Sequence, residues 1–436
     1  MSDPQYSQEL ILQKLGITSL NAMQVDANKA IQKYDNVVIL SPTGTGKTLA
    51  FLLPILQKLD KELHQVQVLI LVPSRELAIQ IEQVTRDMGT GFKTNCVYGG
   101  RPISKDKLEL KHPPTILIGT PGRIADHLRR ETFSNQFLTT LVLDEFDKCL
   151  EIGFEEEMSE ILHFLPNVTN KVLTSATQEL DLPDFVEMKD AFEIYYLDQK
   201  STTLGIKLVL SEDKDKLPTL VKLLCNIGNE PTIVFCNFKE SIDRVCEYLD
   251  EHGIANGCFY GGMEQKDRER SLIKFRNGTY QILIATDLAA RGLDVPEIKH
   301  IIHYHLPHKS EEFTHRNGRT ARMHTEGTAY VIKWEKEHLP DFIESREEFF
   351  LENIATPGPT LWCTVFVSGG RKDKISKGDI AGLFFKQGQL SKEHLGHIEM
   401  KQDCAFVAVQ TEKVNQLIQL VDNSKLKNKK VRVNII

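Results

Sequence analysis

The sequence contains no apolar run near the roughly 20 residues that a membrane-spanning helix requires, so a transmembrane helix is excluded. Its opening residues, MSDPQYSQEL, hold neither a basic segment nor an apolar one, and no signal peptide is expected. The eight cysteines form no CxxC pair and no metal-type spacing. That pattern favours buried thiols in a reducing compartment over disulfides or structural zinc. We therefore expect a cytoplasmic protein without a membrane partner.

The 436 residues exceed one compact domain, and two or three domains are expected. The net charge of −7 argues against basic surface over the whole protein. From Pro359 to Ile436, however, 13 lysines and arginines stand against 7 acids, whereas the preceding 358 residues carry 40 basic and 53 acidic side chains. A basic C-terminal module on an acidic body favours anchoring on a polyanion, and an ordinary basic patch is the alternative.

Two long segments alternate short β-branched runs with helical patterns, which is typical of parallel sheets wound with helices. Strands are predicted at 37–40, 68–72, 115–119, 140–144 and 171–175 in the first segment, and at 232–236, 281–286, 300–304 and 327–332 in the second. A linker is predicted near 196–208. A second boundary is predicted at 355–360 because ATPGPT contains two prolines and a glycine. The residues after it predict a small α+β domain.

A Gly-rich turn between a strand and a helix, VVILSPTGTGKTLAFL at 37–52, predicts a phosphate-binding loop. Its glycines permit the tight path that turns backbone N–H groups onto phosphates, Lys47 supplies charge, and the Thr48 hydroxyl can ligate Mg²⁺. Ser41 stands where the usual pattern has its first glycine. A plain turn before a helix is the alternative. The candidate nucleotide-binding residues of this loop are Thr43, Gly44, Thr45, Gly46, Lys47 and Thr48.

The fourth predicted strand ends in two acids, Asp144 and Glu145, within the run TLVLDEFDK. Carboxylates do not stay charged in a dry core without partners, so these two belong at the strand's carboxyl end, beside the phosphate loop. Asp144 is placed to hold Mg²⁺ through water, and Glu145 to orient and deprotonate the attacking water. A helix N-cap made from the same acids is the alternative.

The second segment has no GKT after any strand and instead carries FTHRNGRTARMH at 313–324. Arg316, Arg319 and Arg322 are three residues apart, which on a helix places them along one face. Gly318 between them is costly inside a helix and indicates that a ligand approaches closely. Arginine fingers at a γ-phosphate explain both features, and a solvated arginine stripe is the alternative.

Taken in order, these elements resemble the DEAD-box helicase family over about residues 6–335. The segments SPTGTGKT, PSRELA, TPGR, DEFD, SAT, VFCN, ATDLAARGLD and HRNGRTAR resemble its motifs I to VI, and as a set they are highly specific. The resemblance implies two RecA-like parallel-sheet domains in tandem, at 1–200 and 201–356. It also implies an RNA-stimulated ATPase and helicase that uses ATP and Mg²⁺.

The resemblance further implies individual roles. It implies an RNA backbone track at Arg75, Gly100, Thr120, Arg123, Gly262 and Thr286. It implies Asp294 near the ATP ribose, Arg319 and Arg322 at the γ-phosphate, Gln24 at the adenine edge, and Ser175 and Thr177 coupling the two halves.

Three positions depart from the family pattern. Phe146 replaces a small alanine in the acidic motif, and its ring must be accommodated behind the site. The adenine-reading segment keeps Gln24 but has Leu-Asn-Ala at 20–22 where the family has Pro-Thr-Pro, which leaves the preference for ATP over other triphosphates open. Asn317 replaces an apolar residue in motif VI, with no evident consequence for the arginines.

The C-terminal segment resembles the RNA-binding tail of DbpA-type helicases, through LWCTVFVSGGRKDKISKGDIAGLF at 361–384 and the basic end KLKNKKVRVNII. This second resemblance implies an α+β, RRM-like domain at 357–436. In that family the tail binds a hairpin of large-subunit ribosomal RNA and delivers the helicase core to nearby duplexes during ribosome assembly. Arg371, Lys372 and Lys374 are predicted phosphate contacts, and a solvated basic face is the alternative.

The sequence therefore predicts a monomeric ATP-dependent RNA helicase that unwinds short RNA duplexes locally. Two other functions stay open: an ATP-gated RNA clamp or scaffold with little unwinding, and a DNA translocase. The intact Lys47, Glu145 and arginine set disfavours the clamp. The RNA-type motif set and the basic tail disfavour the DNA translocase.

Overall fold

The structure is a computed structural model that describes residues 7–177, 182–188, 190–197, 204–287, 298–320, 326–344 and 347–436. The chain divides into two compact units. The first unit contains one large sheet, and the second contains another large sheet together with a small C-terminal one. Within these residues, no helix is long and apolar enough to span a bilayer.

The first unit is built on a seven-stranded sheet whose neighbouring strands all pair in parallel. Its strands are β1 (Asn36–Leu40), β2 (Val68–Leu71), β3 (Thr94–Val97), β4 (Ile116–Gly119), β5 (Thr140–Leu143), β6 (Asn170–Ser175) and β7 (Phe192–Tyr195), in the order β3-β4-β2-β5-β6-β1-β7. Its helices are α1 (Gln8–Leu15), α2 (Ala22–Lys33), α3 (Lys47–Leu56), α4 (Arg75–Asp87), α5 (Ile103–Leu110), α6 (Pro121–Arg129), α7 (Phe146–Ile152) and α8 (Glu155–His163). Separate apolar clusters cover the two faces of the sheet, so strands such as β2 are buried at every position.

The large sheet of the second unit has six parallel strands in the order β10-β11-β9-β12-β13-β8. They are β8 (Leu204–Ser211), β9 (Thr232–Phe235), β10 (Asn256–Phe259), β11 (Ile282–Ala285), β12 (His300–His303) and β13 (Gly327–Trp334). The described helices around it are α9 (Leu217–Ile227), α10 (Lys239–Glu251), α11 (Gln265–Arg276) and α12 (Ser310–Asn317).

The C-terminal sheet is antiparallel, with strand order β15-β16-β14-β19. Its strands are β14 (Trp362–Val367), β15 (Leu395–Met400), β16 (Ala405–Gln410) and β19 (Val433–Ile435), and β17 (Lys425–Leu426) with β18 (Lys429–Lys430) forms a separate hairpin. Helices α13 (Lys377–Lys386) and α14 (Thr411–Val421) contribute Phe384 and Leu417 to a core of their own with Val365 and Val407. The predicted class, two parallel-sheet domains and a small α+β domain, is confirmed.

All nine predicted strands form, with ends that differ from the prediction by two residues at most. The predicted linker at 196–208 is wrong in its second half, because β8 begins at Leu204. Strand β8 lies at an edge of its sheet, and several of its residues are partly exposed. Its sequence therefore lacks the continuous apolar run from which a buried strand would be predicted. At 351–360 the chain forms neither helix nor strand, in agreement with the ATPGPT signal.

One pair of cysteines lies close together in the fold. The sulfur atoms of Cys246 on α10 and Cys258 on β10 face each other, with Cα atoms 7.0 Å apart. The other six cysteines are free, and four of these are buried. The packing of a helix on a strand brings the pair together, which the spacing along the chain does not reveal.

Candidate nucleotide and RNA sites

The phosphate-loop candidate lies between β1 and α3, as predicted. Gly44 and Gly46 adopt φ angles of 82° and 83°, in the left-handed region that favours glycine. The Lys47 ammonium is buried and donates to the carbonyl oxygens of Ser41 at 2.6 Å and Pro42 at 2.9 Å. The loop therefore wraps around a lysine at the N-terminus of α3, where backbone N–H groups and the helix dipole favour an anion.

Ser41, at the position of the missing glycine, is fully buried and supports the loop from within. Its hydroxyl donates to Thr45 Oγ1 at 2.8 Å, and the Thr45 hydroxyl donates to the Pro42 carbonyl at 2.9 Å. Thr43 and Thr48 are partly exposed, at the turn and in the first turn of α3. The departure at Ser41 therefore adds a side-chain hydrogen bond to the loop.

The segment that precedes α2 is tied to the same loop. Asn21 and Gln24 form a capping box, in which Gln24 N donates to Asn21 Oδ1 at 2.9 Å and Asn21 N donates to Gln24 Oε1 at 3.0 Å. The remaining amide groups reach the loop: Asn21 Nδ2 donates to Thr45 O at 2.9 Å and Gln24 Nε2 to Gly46 O at 3.2 Å. The φ of 83° favours glycine at position 46, and a Cβ there would lie 2.4 Å from Gln24 Nε2 and displace that amide.

Sequence reasoning treated Asn21 only as a departure from the family pattern. The available signal was the Asn-x-x-Gln spacing of a capping box before a helix. The structure shows that Asn21 both caps α2 and anchors the phosphate loop.

The acidic pair lies at the carboxyl end of β5. Asp144 is buried, and its Oδ1 accepts hydrogen bonds from Thr174 Oγ1 at 2.5 Å and from Glu145 N at 3.1 Å. Burial and the neighbouring Glu145 carboxylate raise the pKa of Asp144 to about 6, against the opposing effects of Thr174 and Lys47. The N–H of Ser41 donates to Ser175 O at 3.0 Å, which joins the phosphate loop to the end of β6. The loop and the acids thus share one edge of the sheet.

Glu145 adopts a left-handed conformation with φ 49° as the residue before α7. Its side chain makes no cap hydrogen bond to that helix, which disfavours the N-cap alternative. Phe146 is fully buried among apolar residues that include Leu143 and Cys149. The predicted accommodation of this ring behind the site is therefore correct.

The donors near the loop are suited to a hard divalent cation. Asp144 and Glu145 offer carboxylate oxygens, and Thr48 offers a hydroxyl at the start of α3. Oxygen donors of this kind are the ligands that Mg²⁺ prefers. Burial and the Glu145 carboxylate together raise the pKa of Asp144, so a cation bound at this edge would favour the charged form of Asp144.

Four predicted RNA contacts of the first unit follow adjacent strands at the same sheet edge. Arg75 begins α4. Its guanidinium packs against Gly100, where φ is 86°, so closely that a Cβ added to this glycine would lie 2.6 Å from the guanidinium. Thr120 precedes α6 after β4. Arg123 Nε donates to Tyr98 O at 3.0 Å, on the turn that leads to Gly100. Arg75, Gly100 and Arg123 therefore lie close together, with Thr120 at the same edge.

In the second unit, Gly262 follows β10 and Thr286 follows β11. These strands are neighbours, and Thr286 N donates to Phe259 O at 3.4 Å, so both predicted RNA contacts lie at the carboxyl edge of this sheet. Asp294 and Arg322 lie outside the described residues.

Arg316 and Arg319 do not lie on one continuous helix. Helix α12 ends at Asn317, and Gly318 is its C-cap with an ordinary φ of −64°, so Arg319 lies beyond the helix. Arg316 is 1% exposed and donates two hydrogen bonds of 2.6 Å to Asp287, with further bonds to His305 O and Asn237 Oδ1 at 2.8 Å. The spacing of three residues indicated a continuous helix, but the glycine ends it.

Asn317, the third departure, has a structural partner. Its Oδ1 lies 2.9 Å from Nε2 of His303, which is fully buried at the end of β12. Burial and the nearby Arg316 charge lower the pKa of His303 to about 3, although the hydrogen bond to Asn317 opposes the shift. A neutral imidazole that donates Nε2–H to Asn317 fits this environment.

The basic loop of the C-terminal domain, whose residues are the predicted phosphate contacts, is exposed. Arg371, Lys372 and Lys374 all have exposed side chains. Nearby, Lys429 Nζ lies 2.7 Å from Asp373, and Lys427 Nζ lies 2.7 Å from Asp379. The loop therefore presents three cations beside lysines of the β17–β18 hairpin.

Three family models match consecutive parts of the chain. "DEAD/DEAH box helicase" matches residues 21–185, "Helicase conserved C-terminal domain" matches 215–324, and "DbpA RNA binding domain" matches 364–435. Among characterised proteins, the ATP-dependent RNA helicase DbpA of Escherichia coli is 32% identical over 98% of this chain and 96% of its own. DbpA of Bacillus subtilis is 29% identical over 97% and 96%.

Solved helicase structures share the fold. Dbp5 of S. cerevisiae, bound to RNA and ADP BeF3, has 26% identity and a TM-score of 0.66, over 76% of this chain and 88% of the other. The DEAD-box helicase Mss116, bound to ssRNA and UDP-BeF, has 26% identity and a TM-score of 0.67, over 80% and 79%.

Proposed function

Because the chain belongs to the DEAD-box ATP-dependent RNA helicases of the DbpA type, we propose that it unwinds short RNA duplexes locally through ATP binding and hydrolysis. One observation carries this proposal: Lys47 in its Gly-rich loop lies at the same sheet edge as the buried Asp144 and the partly exposed Glu145. A phosphate cradle, a cation-holding carboxylate and a water-activating carboxylate are the parts that triphosphate hydrolysis needs.

In the proposed site, Lys47 exchanges its loop carbonyls for the β- and γ-phosphates, and Gly44 and Gly46 keep the backbone N–H groups turned inward. Thr48 and Asp144 would hold Mg²⁺, which neutralises phosphate charge when bound. Glu145 then orients and deprotonates the attacking water. Thr43 and Thr45 are the remaining loop residues of the proposed nucleotide site. Gln24 would contact the adenine and Asp294 the ribose. Arg319 and Arg322 would contact the γ-phosphate.

We further propose that Arg75, Gly100, Thr120, Arg123, Gly262 and Thr286 bind the RNA backbone. Support comes from their positions at the carboxyl edges of parallel sheets, where ligands of such folds bind. A track that contacts phosphates and 2′-hydroxyls carries little sequence information, so target choice must come from elsewhere in the chain.

The C-terminal domain is the proposed source of that choice. Arg371, Lys372 and Lys374 form an exposed cationic loop on a segment whose net charge is +6. The proposed target is a hairpin of large-subunit ribosomal RNA, which the domain would bind during ribosome assembly. We propose that the protein acts in the cytoplasm as a monomer. The proposed domain boundaries are 1–200, 201–356 and 357–436.

RNA-stimulated ATPase assays with a panel of RNAs test this proposal. Fragments of large-subunit ribosomal RNA should stimulate ATP turnover at lower concentration than scrambled hairpins or DNA of equal length. Replacing Arg371, Lys372 and Lys374 together by alanine should remove that preference while turnover at saturating generic RNA persists. Binding should also weaken with salt, with a slope of log K against log salt near about −3 for roughly four phosphate contacts. Equal stimulation by all RNAs would overturn the targeting part, and equal stimulation by DNA the RNA assignment.

A further inference from the structure

A buried carboxylate lies behind the proposed RNA track of the first unit. Asp106, in the first turn of α5, has no exposed surface, although a carboxylate is costly to bury without partners. No residue assigned above to the nucleotide site or to the RNA track lies on α5. The contacts of Asp106 therefore have to account for its burial.

Asp106 has three nitrogen partners. Its Oδ1 lies 2.5 Å from Arg101 Nε, and its Oδ2 lies 3.6 Å from Arg123 Nε and 3.2 Å from His127 Nε2. Arg123 and His127 are four residues apart on α6, so they share one face of that helix. One carboxylate thus joins the start of α5, the turn before it, and α6.

His127 fixes this carboxylate from the far side. The imidazole is as fully buried as Asp106, and its Nδ1 lies 2.7 Å from Thr132 Oγ1. Both ring nitrogens therefore have partners, which set the orientation of the ring and with it the position of the carboxylate.

The Arg123 guanidinium closes the turn that contains Gly100. Its Nε donates to Tyr98 O at 3.0 Å, and its Nη2 donates to Arg101 O, so the two bonds bracket the pair of glycines between them. A planar guanidinium holds two acceptors in a fixed relative position. The shape of the turn at 98–101 therefore depends on where Arg123 is held.

The bracketed glycines face outward. Gly100 is exposed with a φ of 86°, and among the described residues neither Gly99 nor Gly100 donates its N–H to a protein acceptor. The Arg75 guanidinium packs against Gly100. Backbone N–H groups beside a guanidinium are suited to phosphate oxygens, so the turn offers its donors on the side opposite Arg123.

Asp106 also separates two like charges. Arg101 and Arg123 both contact it, and Arg101 has a second partner in Glu109, whose Oε2 lies 2.5 Å from Nη2 and whose side chain is 35% exposed. Burial would lower the pKa of Arg101, but the two carboxylates outweigh it and raise that pKa. Without the charge of Asp106, the two guanidinium groups would repel each other beneath the turn.

We propose that Asp106 is a positioning residue for RNA binding, which holds Arg123 and Arg101 so that the turn at 98–101 keeps its backbone N–H groups aimed at RNA phosphates. This assignment rests on the proposed function, because it requires RNA to lie along Gly100. The phosphate loop follows β1, four strands away from β4 in the sheet, so the charge of Asp106 should affect RNA affinity and leave ATP affinity unchanged.

RNA titrations of ATP turnover by the full chain test the proposal. Asp106→Asn keeps the size of the side chain and removes its charge. The RNA concentration for half-maximal turnover should rise about 5- to 10-fold, the equivalent of one hydrogen bond. The KM for ATP and kcat at saturating RNA should stay within about 2-fold of the parent.

This readout separates positioning from a general loss of structure. Unfolded molecules lower the apparent kcat, whereas the half-saturating RNA concentration reports only the molecules that are folded. A fall in kcat with unchanged half-saturation would therefore overturn the proposal and leave Asp106 a purely structural residue.

Glu109→Gln is the matched control. It also removes a carboxylate partner of Arg101 from α5, but from a side chain that is 35% exposed and has no printed contact with Arg123. Its half-saturating RNA concentration should stay within about 2-fold of the parent. An increase equal to that of Asp106→Asn would show that any charge near Arg101 suffices and would overturn the specific role of Asp106.

Arg123→Lys tests the same link from the other partner. A lysine keeps the charge but has no planar fork to hold the Tyr98 and Arg101 carbonyls, so half-saturation should rise as it does in Asp106→Asn. Because Asp106 acts through Arg123, adding Asp106→Asn to Arg123→Lys should produce less than about 2-fold further change. Fully multiplicative effects would overturn the link between the two residues.

The same titrations tell this proposal apart from the proposed function. Parent turnover that does not respond to RNA would overturn the proposed function and the role of Asp106 with it. RNA-stimulated turnover in the parent, with the same half-saturation in Asp106→Asn, would overturn the role of Asp106 alone.

Discussion

Arg316 and Asp287 form a two-bond ion pair in which Nε and Nη2 of the arginine each donate to a carboxylate oxygen at 2.6 Å. The same guanidinium donates to groups that follow β9 and β12, so it joins α12 to the ends of three strands. With 1% of its side chain exposed, the arginine depends on Asp287 for neutralisation. Arg316 therefore stabilises the domain from within, whereas sequence analysis placed it on one helical face with Arg319 and Arg322.

Asp287→Ala should destabilise the protein by about 3 kcal/mol, because it leaves a buried charge without its partner. Glu230→Ala is the matched control. Its partner Lys299 lies 2.9 Å away, but the two side chains are 39% and 54% exposed, so the loss should stay below about 1 kcal/mol. Urea unfolding followed by circular dichroism measures both changes. Equal effects of the two substitutions would contradict the assigned role of Arg316.

Stability should fall as pH falls below neutrality, because of two histidines. Burial lowers the pKa of His303 to about 3 and that of His305 to about 4, from an ordinary value of 6.5. The unfolded chain therefore takes up protons first, so this contribution is complete above pH 6.5 and is lost as pH falls toward the folded-state values. At about pH 5 each histidine should cost about 2 kcal/mol.

His303→Gln should remove about half of this loss, because an amide does not titrate. The measurement is the urea midpoint of wild type and variant at about pH 7.5 and about pH 5. A variant with the same acid-dependent loss as wild type would show that His303 is not the titrating group.

The strands that carry the site were predictable because they are buried on both faces and therefore read as continuous apolar runs, as in β2 and β5. Edge strands such as β8 were not predictable, since partial exposure breaks that run. The phosphate loop and the acidic pair were predictable because the required residues are contiguous in the sequence.

Contacts between distant segments were beyond sequence reasoning. Thr174 supports Asp144 from a neighbouring strand, 30 residues away along the chain, and nothing in its own sequence context marks that contact. The prediction of one helix carrying Arg316, Arg319 and Arg322 extended too far for a different reason. A residue spacing fixes a helical face only while the helix continues, and α12 stops at Asn317.

Asn21→Ser should separate the two tasks of Asn21. The serine hydroxyl still caps α2, whereas the donor to Thr45 O is lost, so stability should stay within about 0.5 kcal/mol of wild type. The KM for ATP should rise about 5- to 10-fold, the equivalent of one hydrogen bond, with kcat changed less.

Asn21→Ala is the comparison variant, since it removes the cap and the loop contact together. It should show the same rise in KM and an additional loss of about 1 kcal/mol in unfolding free energy. Steady-state ATPase kinetics and urea unfolding give both quantities. An unchanged KM in Asn21→Ser would show that the contact with the loop does not position it for nucleotide.

The most direct test of the central claim is ATP-dependent release of a labelled strand from a short RNA duplex, with wild type compared with Glu145→Gln. Wild type should release the strand faster with ATP than without it and should hydrolyse ATP. Glu145→Gln should bind ATP and RNA as tightly as wild type, while its ATP turnover falls by about 10²- to 10⁴-fold, because the general base is lost but the shape is kept. Wild-type hydrolysis of ATP without any acceleration of strand release would contradict the helicase account and indicate an ATP-gated clamp.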